Sequence, residues 1–182
     1  MNTRRAVFLD RDGVINESIV RNGKPYPPAH LNEVRLVAAA TESLKQLKEC
    51  GFLLIVVTNQ PDVRRGTTPK QTVEQIHAAL QSQLPIDDFF VCYHDDGDGC
   101  QCRKPLPGLL LEAARKHGIN TGQSFLIGDR WRDIEAGVAA GCRTVLIDYG
   151  YKEQKSKHLP DATVFSLAEA VNWIVTQEVQ LH

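Results

Sequence analysis

The segment Ala6-Val7-Phe8-Leu9-Asp10-Arg11-Asp12-Gly13 is the most informative part of this sequence for its fold. Its four consecutive apolar residues are typical of a strand covered on both faces, as in a parallel sheet. Gly13 allows the backbone to turn sharply directly after the acidic pair. Because ligands of open α/β sheets bind at the carboxyl ends of strands, we expect Asp10 and Asp12 to lie at a binding site. A lone Asp-x-Asp pair can also be an acidic turn without function, since turns favour aspartate.

Strand and helix patterns alternate along the rest of the chain. The apolar segment 52–58 predicts a central strand, and further strands are expected at 89–92, 124–127 and 144–147. Helices are expected at 38–50, 108–117, 133–140 and 167–177, and another should begin with Thr68 as N-cap, Pro69 at the first position and Gln71 completing a capping box. This alternation predicts an α/β fold with a doubly wound, Rossmann-like parallel sheet and helices on both faces.

The length and charge of the chain limit its class. A chain of 182 residues is long enough for one good core and short for two, so we expect a single domain over 1–182. The formal net charge of -1, without a basic stripe, favours neither nucleic acid nor a membrane surface as partner. No apolar run approaches the roughly 20 residues of a membrane span, and the first residues lack a signal-peptide pattern. We therefore expect a cytoplasmic monomer.

Polar residues that suit phosphate chemistry follow three of the predicted strands. The first strand is followed by two carboxylates, the second by a hydroxyl and amides able to hold phosphoryl oxygens, and the strand at 124–127 by Gly128 and further acids. A basic pair lies between them in sequence. These residues are Asp10, Asp12, Thr58, Asn59, Gln60, Arg103, Lys104, Asp129 and Asp133.

In this order the residues resemble the four signatures of the haloacid dehalogenase-like phosphatases. The matching motifs are Asp10-x-Asp12-Gly13, Thr58-Asn59, Lys104 and Gly128-Asp129-x-x-x-Asp133, which together span about two-thirds of the chain. The resemblance implies a phosphoric monoester hydrolase that depends on Mg²⁺ and forms an aspartyl-phosphate. It also implies a capless enzyme, because no insertion in the chain is long enough to form a large cap domain.

The resemblance also assigns roles to individual residues. Asp10 would be the nucleophile, and Asp12 would protonate the leaving oxygen and then deprotonate the attacking water. Mg²⁺ would be held by the Asp10 carboxylate, the Asp12 carbonyl and Asp129. Lys104 would stabilise charge on the phosphoryl oxygens, while Asp133 would support Lys104 or a metal-bound water. Without the resemblance, the spacing indicates only an acidic cluster with a lysine.

A second motif, Cys92-x-His94-x₅-Cys100-x-Cys102, has the composition of a structural Zn²⁺ site. Three thiolates and one imidazole fill the four positions of such a site and leave none open for a catalytic water. Clustered cysteines without a signal peptide favour a metal over disulfides. Incidental cysteines are the alternative, since both Cys-containing pairs are more closely spaced than usual. Because Arg103 follows Cys102 directly, bound zinc would orient Arg103 and Lys104 towards the phosphate.

The zinc motif narrows the resemblance to two related subfamilies. One acts on the 7-phosphate of D-glycero-D-manno-heptose 1,7-bisphosphate and the other on histidinol phosphate. The segments 8–16 and 57–60 look more like the first, although Pro61-Asp62 and Arg130-Trp131 depart from its usual pattern. We therefore expect a small phosphorylated sugar to bind Thr58, Asn59, Arg103 and Lys104, with histidinol phosphate as the alternative. A non-catalytic zinc-loop binding module is the alternative from another class.

Several residues outside these motifs have simpler interpretations. The histidines at positions 30, 77, 117 and 158 lack metal-ligand spacing and are interpreted as surface residues. Trp131 is expected in an exposed loop, where it could stack on a sugar or pack against the sheet. Cys50 and Cys142 are interpreted as small buried hydrophobic residues.

Overall fold

A six-stranded parallel sheet forms the centre of the computed structural model, which describes residues 4–179. The strands in chain order are β1 (Ala6–Leu9), β2 (Ile19–Arg21), β3 (Lys24–Tyr26), β4 (Leu53–Asn59), β5 (Asp88–Cys92), β6 (Phe125–Gly128), β7 (Arg143–Ile147) and β8 (Ala162–Val164). Strands β2 and β3 form a separate antiparallel hairpin. The order in the main sheet is β5-β4-β1-β6-β7-β8, and every neighbouring pair is parallel.

Five helices cover the two faces of this sheet. They are α1 (Ala40–Glu49), α2 (Lys70–Gln83), α3 (Gly108–His117), α4 (Trp131–Ala140) and α5 (Leu167–Val179). Residues of α1, α2 and α5 belong to one hydrophobic core, and residues of α3 and α4 belong to the other. None of these helices combines the length and the apolar character that a membrane span would need.

The first strand shows how the sequence produces two cores. Val7 and Leu9 pack into the core of α1, α2 and α5, whereas Ala6 and Phe8 pack into the core of α3 and α4. All four side chains are fully buried, because successive residues of a strand face opposite sides of the sheet. The predicted doubly wound parallel sheet is confirmed.

Strand β1 is the point at which the chain order reverses. Phe8 lies in register with Ile55 of β4 on one side and with Leu126 of β6 on the other. The carboxyl ends of β1, β4 and β6 therefore open into one crevice, where open α/β sheets bind their ligands.

Two short strand elements were not predicted from the sequence. The hairpin of β2 and β3 lies within the range 14–30, and its turn is formed by Asn22 and Gly23, both with positive φ. An Asn-Gly pair is a strong hairpin signal, so the sequence did carry this information. Strand β8 has only three residues and none of them is fully buried, which left little apolar pattern to detect. Within residues 4–179 no larger insertion stands over the crevice.

The predicted starts of two helices were wrong. Helix α2 begins at Lys70 with Pro69 as its N-cap and without a side-chain cap hydrogen bond. Thr68 is not the N-cap as predicted, because Pro69 has an extended backbone (φ −61°, ψ 139°) and the helix starts one residue later. Helix α4 begins two residues earlier than expected, so Trp131 is helical and half-buried rather than part of an exposed loop.

Candidate active site

A buried lysine connects the ends of two strands to the first turn of α4. The Lys104 ammonium lies 3.0 Å from Asp10 Oδ1 and 2.6 Å from Asp133 Oδ1, and it donates a hydrogen bond of 2.8 Å to the Val57 carbonyl. Burial opposes the charge of Lys104, but the two carboxylates outweigh burial and raise its pKa. The lysine therefore stays charged in a site where its side chain is only 2% exposed.

Three buried carboxylates surround this lysine. Oxygens of Asp10, Asp129 and Asp133 all lie within 4.8 Å of one another. Burial, followed by the Asp133 charge, raises the pKa of Asp10 to about 7. Burial, followed by the Asp10 charge, raises the pKa of Asp129 well above its usual value. Like charges at this distance destabilise the ionised forms, so the cluster favours a further cation.

Asp129 provides the most specific indication of a metal. Among residues 4–179, no hydrogen bond of good geometry reaches either of its buried carboxylate oxygens, although the Tyr151 hydroxyl is close enough to influence its pKa. Buried carboxylates are normally paired or bound to a metal. Gly13 leaves the space for this carboxylate, since a Cβ at Gly13 would overlap it. An all-oxygen set of this kind fits a hard divalent cation such as Mg²⁺.

Asp12 lies next to this cluster, and its carboxylate is held by three neighbours. Arg11 donates from Nε and Nη2 at 3.0–3.1 Å, while Asn16 and Gln60 each donate at 2.9 Å. Arg11 is completely buried, and sequence reasoning gave it no role. One indication of a role for Arg11 was present in the sequence, namely its position between the two site residues Asp10 and Asp12.

His77 was predicted to be a surface residue, and this was wrong. It is 8% exposed, and its Nε2 lies 3.0 Å from Arg11 Nη1. Its ring stacks on Phe89 with 4.7 Å between ring centroids. The helical spacing of His77 from the buried Val73 and Leu80 places it on the inner face of α2, and that spacing was visible in the sequence.

The exposure of the other histidines and cysteines outside the motifs agrees with the prediction at three positions and differs at two. His30 and His158 are exposed as predicted, but His117 is half-buried with its Nε2 2.7 Å from Asp88. Cys142 is buried as predicted, whereas Cys50 is half-buried.

The end of β4 contributes residues that hold the loop carrying Lys104. Asn59 forms two hydrogen bonds with the Lys104 backbone, of 3.0 Å to its carbonyl and 3.1 Å from its N–H. Thr58 is buried, and its hydroxyl accepts a hydrogen bond of 2.9 Å from Gln60. Asn59 thus fixes the position of the lysine in addition to lining the cavity.

The acidic cluster opens into a cavity of about 260 Å³ with a basic rim. Besides Lys104, its lining includes five basic residues, which are Lys24, Arg65, Arg103, Arg130 and Arg132. Asp96 accepts hydrogen bonds from Arg103 at 2.8 Å and from Arg132 at 3.1 Å. Arg130 is paired with Glu153 at 2.6 Å. These three arginines are therefore each paired with a carboxylate, and an anionic substrate group entering the cavity would share or displace those partners.

The predicted zinc ligands also come together. The Cys92 sulfur lies 3.1 Å from that of Cys102 and 3.7 Å from that of Cys100, and His94 Nδ1 lies 3.5 Å from Cys92 and 3.3 Å from Cys102. Zn–S bonds of about 2.3 Å in a tetrahedron separate two sulfurs by about 3.8 Å. The Cys92–Cys100 distance matches this value and the Cys92–Cys102 distance is shorter. The donor set fits a tetrahedral Zn²⁺, which would be held directly before Arg103 and Lys104 in the chain.

Comparison with known proteins gives consistent matches. Residues 101–170 match the family model described as HAD-hydrolase-like. The D-glycero-beta-D-manno-heptose-1,7-bisphosphate 7-phosphatase of Helicobacter pylori is 37% identical over 153 residues, which cover 81% of this chain and 85% of that protein. The enzyme of the same name from Pasteurella multocida is 33% identical over 159 residues, which cover 81% and 83%.

The same similarity extends to a solved structure. The D,D-heptose 1,7-bisphosphate phosphatase from B. bronchiseptica, crystallised with magnesium and phosphate, superposes with a TM-score of 0.77 at 26% identity. The match covers 95% of this chain and 99% of that one.

Asp129→Asn should stabilise the metal-free protein, because it removes a buried charge that lacks a good partner. We expect a gain of about 1–3 kcal/mol in the free energy of unfolding in EDTA at neutral pH. The raised pKa of Asp129 means that the folded wild type binds more protons than the unfolded chain, so its stability falls as pH rises from the unfolded pKa to the raised pKa of the folded state. The gain from Asp129→Asn should therefore grow with pH over that range and be constant above it.

Denaturant unfolding with EDTA or with Mg²⁺ measures this effect. Mg²⁺ should stabilise the wild type more than Asp129→Asn, while Glu112→Gln, at an exposed position of α3, should change stability by less than about 0.5 kcal/mol. A variant that is less stable than the wild type in EDTA would contradict the charge argument.

Proposed function

This chain belongs to the haloacid dehalogenase-like hydrolases, and we propose that it removes the 7-phosphate of D-glycero-D-manno-heptose 1,7-bisphosphate through an aspartyl-phosphate. The observation that carries this proposal is the buried ion-pair cluster in which Lys104 lies between Asp10 and Asp133. Relatives at 33% and 37% identity over most of the chain carry the name of this activity. We propose that residues 1–182 form one catalytic domain.

Asp10 is the proposed nucleophile. One of its carboxylate oxygens attacks phosphorus, and the ester bond to the sugar oxygen breaks. The Lys104 ammonium, 3.0 Å from Asp10 Oδ1, stabilises the charge that builds on the phosphoryl oxygens. It also holds the nucleophile in place, because its other carboxylate partner, Asp133, is fixed at the start of α4.

Asp12 is the proposed acid and base of the two half-reactions. It gives a proton to the departing sugar oxygen and later takes one from the water that attacks the aspartyl-phosphate. Its position next to the nucleophile, at the exit of the same strand, places it near the bond that breaks. Hydrolysis of the aspartyl-phosphate then restores the Asp10 carboxylate.

A Mg²⁺ ion is proposed to bind the Asp10 carboxylate, the Asp12 carbonyl and Asp129. When bound it would offset the repulsion between these acids and the substrate phosphate. The orphaned oxygens of Asp129 support this assignment.

The second metal of the proposal is a structural Zn²⁺ held by Cys92, His94, Cys100 and Cys102. Its proposed role is to fix the loop from which the basic residues of the site project. Three reduced thiols persist best in a reducing compartment, which is why we propose a cytoplasmic location.

Arg103 is proposed to bind the second phosphate of the substrate. Its guanidinium already accommodates an anion, the Asp96 carboxylate, at 2.8 Å, and Arg132 binds the same carboxylate. A guanidinium can bind a phosphate through two parallel hydrogen bonds. Histidinol phosphate would instead bring a cationic amine towards the Arg103 guanidinium, so Arg103 favours the sugar bisphosphate.

Asp10→Asn should abolish turnover, because an amide cannot attack phosphorus. Asp12→Asn should lower the rate by roughly 10²–10⁴-fold, the usual share of general acid–base catalysis, while it keeps the backbone carbonyl for the metal. Steady-state assays with the heptose bisphosphate, after circular dichroism has verified folding, measure both effects. Near-native kcat in Asp10→Asn would exclude the covalent mechanism.

Arg103→Ala should lower kcat/KM for the heptose bisphosphate by about 1.5–3 kcal/mol, the range for a hydrogen bond to a charged group. A simple monoester such as p-nitrophenyl phosphate should be affected little, since it lacks the second phosphate. Arg64→Ala is the matched control, because Arg64 is paired with Asp98 on the exposed side of the same region. Equal losses on both substrates would assign Arg103 to the common phosphate site.

Elemental analysis should find about one zinc per chain. Cys100→Ser or Cys102→Ser should lose the metal and lower the melting temperature before chemistry is affected, because ligation is coupled to folding of the loop. Cys50→Ser should retain zinc, since Cys50 lies at the end of α1 and outside the cluster. A metal-free preparation with an unchanged melting temperature and full activity would refute a structural zinc.

A further inference from the structure

The imidazole of His77 is a buried titratable group that the proposed chemistry does not use. It lies on α2, away from the acid cluster, and is held by a ring stack on Phe89 at 4.7 Å. Within residues 4–179 its ring forms one hydrogen bond, with Arg11, and 3.0 Å separates Nε2 from Nη1. A lone histidine on the inner face of a helix could simply fill space. Its contact with a buried guanidinium gives it a second possible role.

Arg11 connects His77 to Asp12, because its guanidinium contacts both side chains. Its Nη1 faces His77, while Nε and Nη2 donate to the Asp12 carboxylate at 3.0–3.1 Å. A guanidinium has no acceptor, so the nitrogen of His77 that faces it must accept. Burial and the Arg11 charge lower the pKa of His77 to about 3, which keeps the imidazole neutral and able to accept.

The hydrogen bonds on Asp12 are divided unequally between its two oxygens. Oδ1 accepts from Arg11 Nε, Arg11 Nη2 and Asn16 Nδ2, whereas Oδ2 accepts from Arg11 Nη2 and Gln60 Nε2. A proton carried on Oδ2 would leave the bonds on Oδ1 intact. Anchoring through Arg11 therefore suits both protonation states of Asp12.

We infer that His77 is a positioning residue, which fixes the Arg11 guanidinium and through it holds the Asp12 carboxyl in place for proton transfer to the leaving oxygen. The inference rests on the proposed phosphatase activity. Without the acceptor at His77, Arg11 Nη1 becomes a buried donor without a partner, and that cost favours a shift of the guanidinium. Asp12 would then lose the neighbour that contacts both of its oxygens.

Leaving-group dependence provides a readout that a purely structural role would not affect. A sugar oxygen is a poor leaving group and needs the proton from Asp12, whereas p-nitrophenolate leaves without much assistance. The ratio of kcat/KM for a sugar phosphate to kcat/KM for p-nitrophenyl phosphate therefore measures acid assistance. A loss of folded protein cancels from this ratio, because it affects both substrates equally.

The experiment compares this ratio in the wild type, His77→Phe, His77→Gln and Asp12→Asn, with the enzyme in Mg²⁺. His77→Phe should lower the ratio about tenfold. This is smaller than the loss in Asp12→Asn, which removes the whole contribution of general acid–base catalysis, about 10²–10⁴-fold. His77→Gln should restore most of the ratio, because its amide oxygen can accept from Arg11. Ile76→Val, a neighbouring fully buried residue, should leave the ratio unchanged.

An unchanged ratio in His77→Phe, or equal losses in His77→Phe and His77→Gln, would overturn the inference. If His77→Phe does not fold, Phe89→Leu decides the question, since it removes the ring that orients His77 and should lower the ratio in the same direction. An unchanged ratio in Phe89→Leu would then overturn it. A wild-type enzyme that hydrolyses neither ester would instead refute the proposed function.

Discussion

The ion pairs of Lys104 are the interaction on which the site depends. An ammonium that is 2% exposed is costly to bury, and the contacts with Asp10, Asp133 and the Val57 carbonyl offset that cost. These partners come from the ends of β1 and β4 and from the start of α4, so the sheet must be assembled before the lysine can be buried. Conversely, the loop that carries Lys104 is held by Asn59, and the proposed zinc in the cysteine–histidine cluster would hold it further.

The cluster of Lys104 with the buried carboxylates is not optimised for stability. Lys104 pairs with Asp10 and Asp133, whereas the buried oxygens of Asp129 lack a well-aligned donor among residues 4–179. Repulsion and burial raise the pKa of both Asp10 and Asp129. Sites that bind and react often retain such strain, because a charge left unsatisfied by the protein is available for a ligand. This repulsion between buried carboxylates explains why the proposed mechanism includes a bound cation.

Much of the fold, and the grouping of the acidic residues with Lys104, could be predicted from the sequence, because the patterns that indicate them are local. Buried strands read as apolar runs, and the polar residues after them marked the crevice, as at Leu9-Asp10. What failed depended on tertiary contacts. The sequence predicted Thr68 as an N-cap, but Pro69 has an extended backbone and takes that position. The lack of metal-ligand spacing predicted a surface position for His77, whereas its helical spacing from Val73 and Leu80 places it on the buried face of α2. The Asp96 bridge between Arg103 and Arg132 joins segments that only the fold brings together.

The stereochemical course at phosphorus distinguishes phosphoryl transfer through Asp10 from direct transfer to the acceptor. The enzyme would transfer phosphate from an ester made chiral by oxygen isotopes to an added acceptor alcohol. We predict net retention of configuration, because transfer to Asp10 and transfer from Asp10 to the alcohol each invert the configuration at phosphorus. The measurement does not need the intermediate to accumulate. Net inversion would mean that the acceptor attacks the substrate directly, and the account of Asp10 as nucleophile would be wrong.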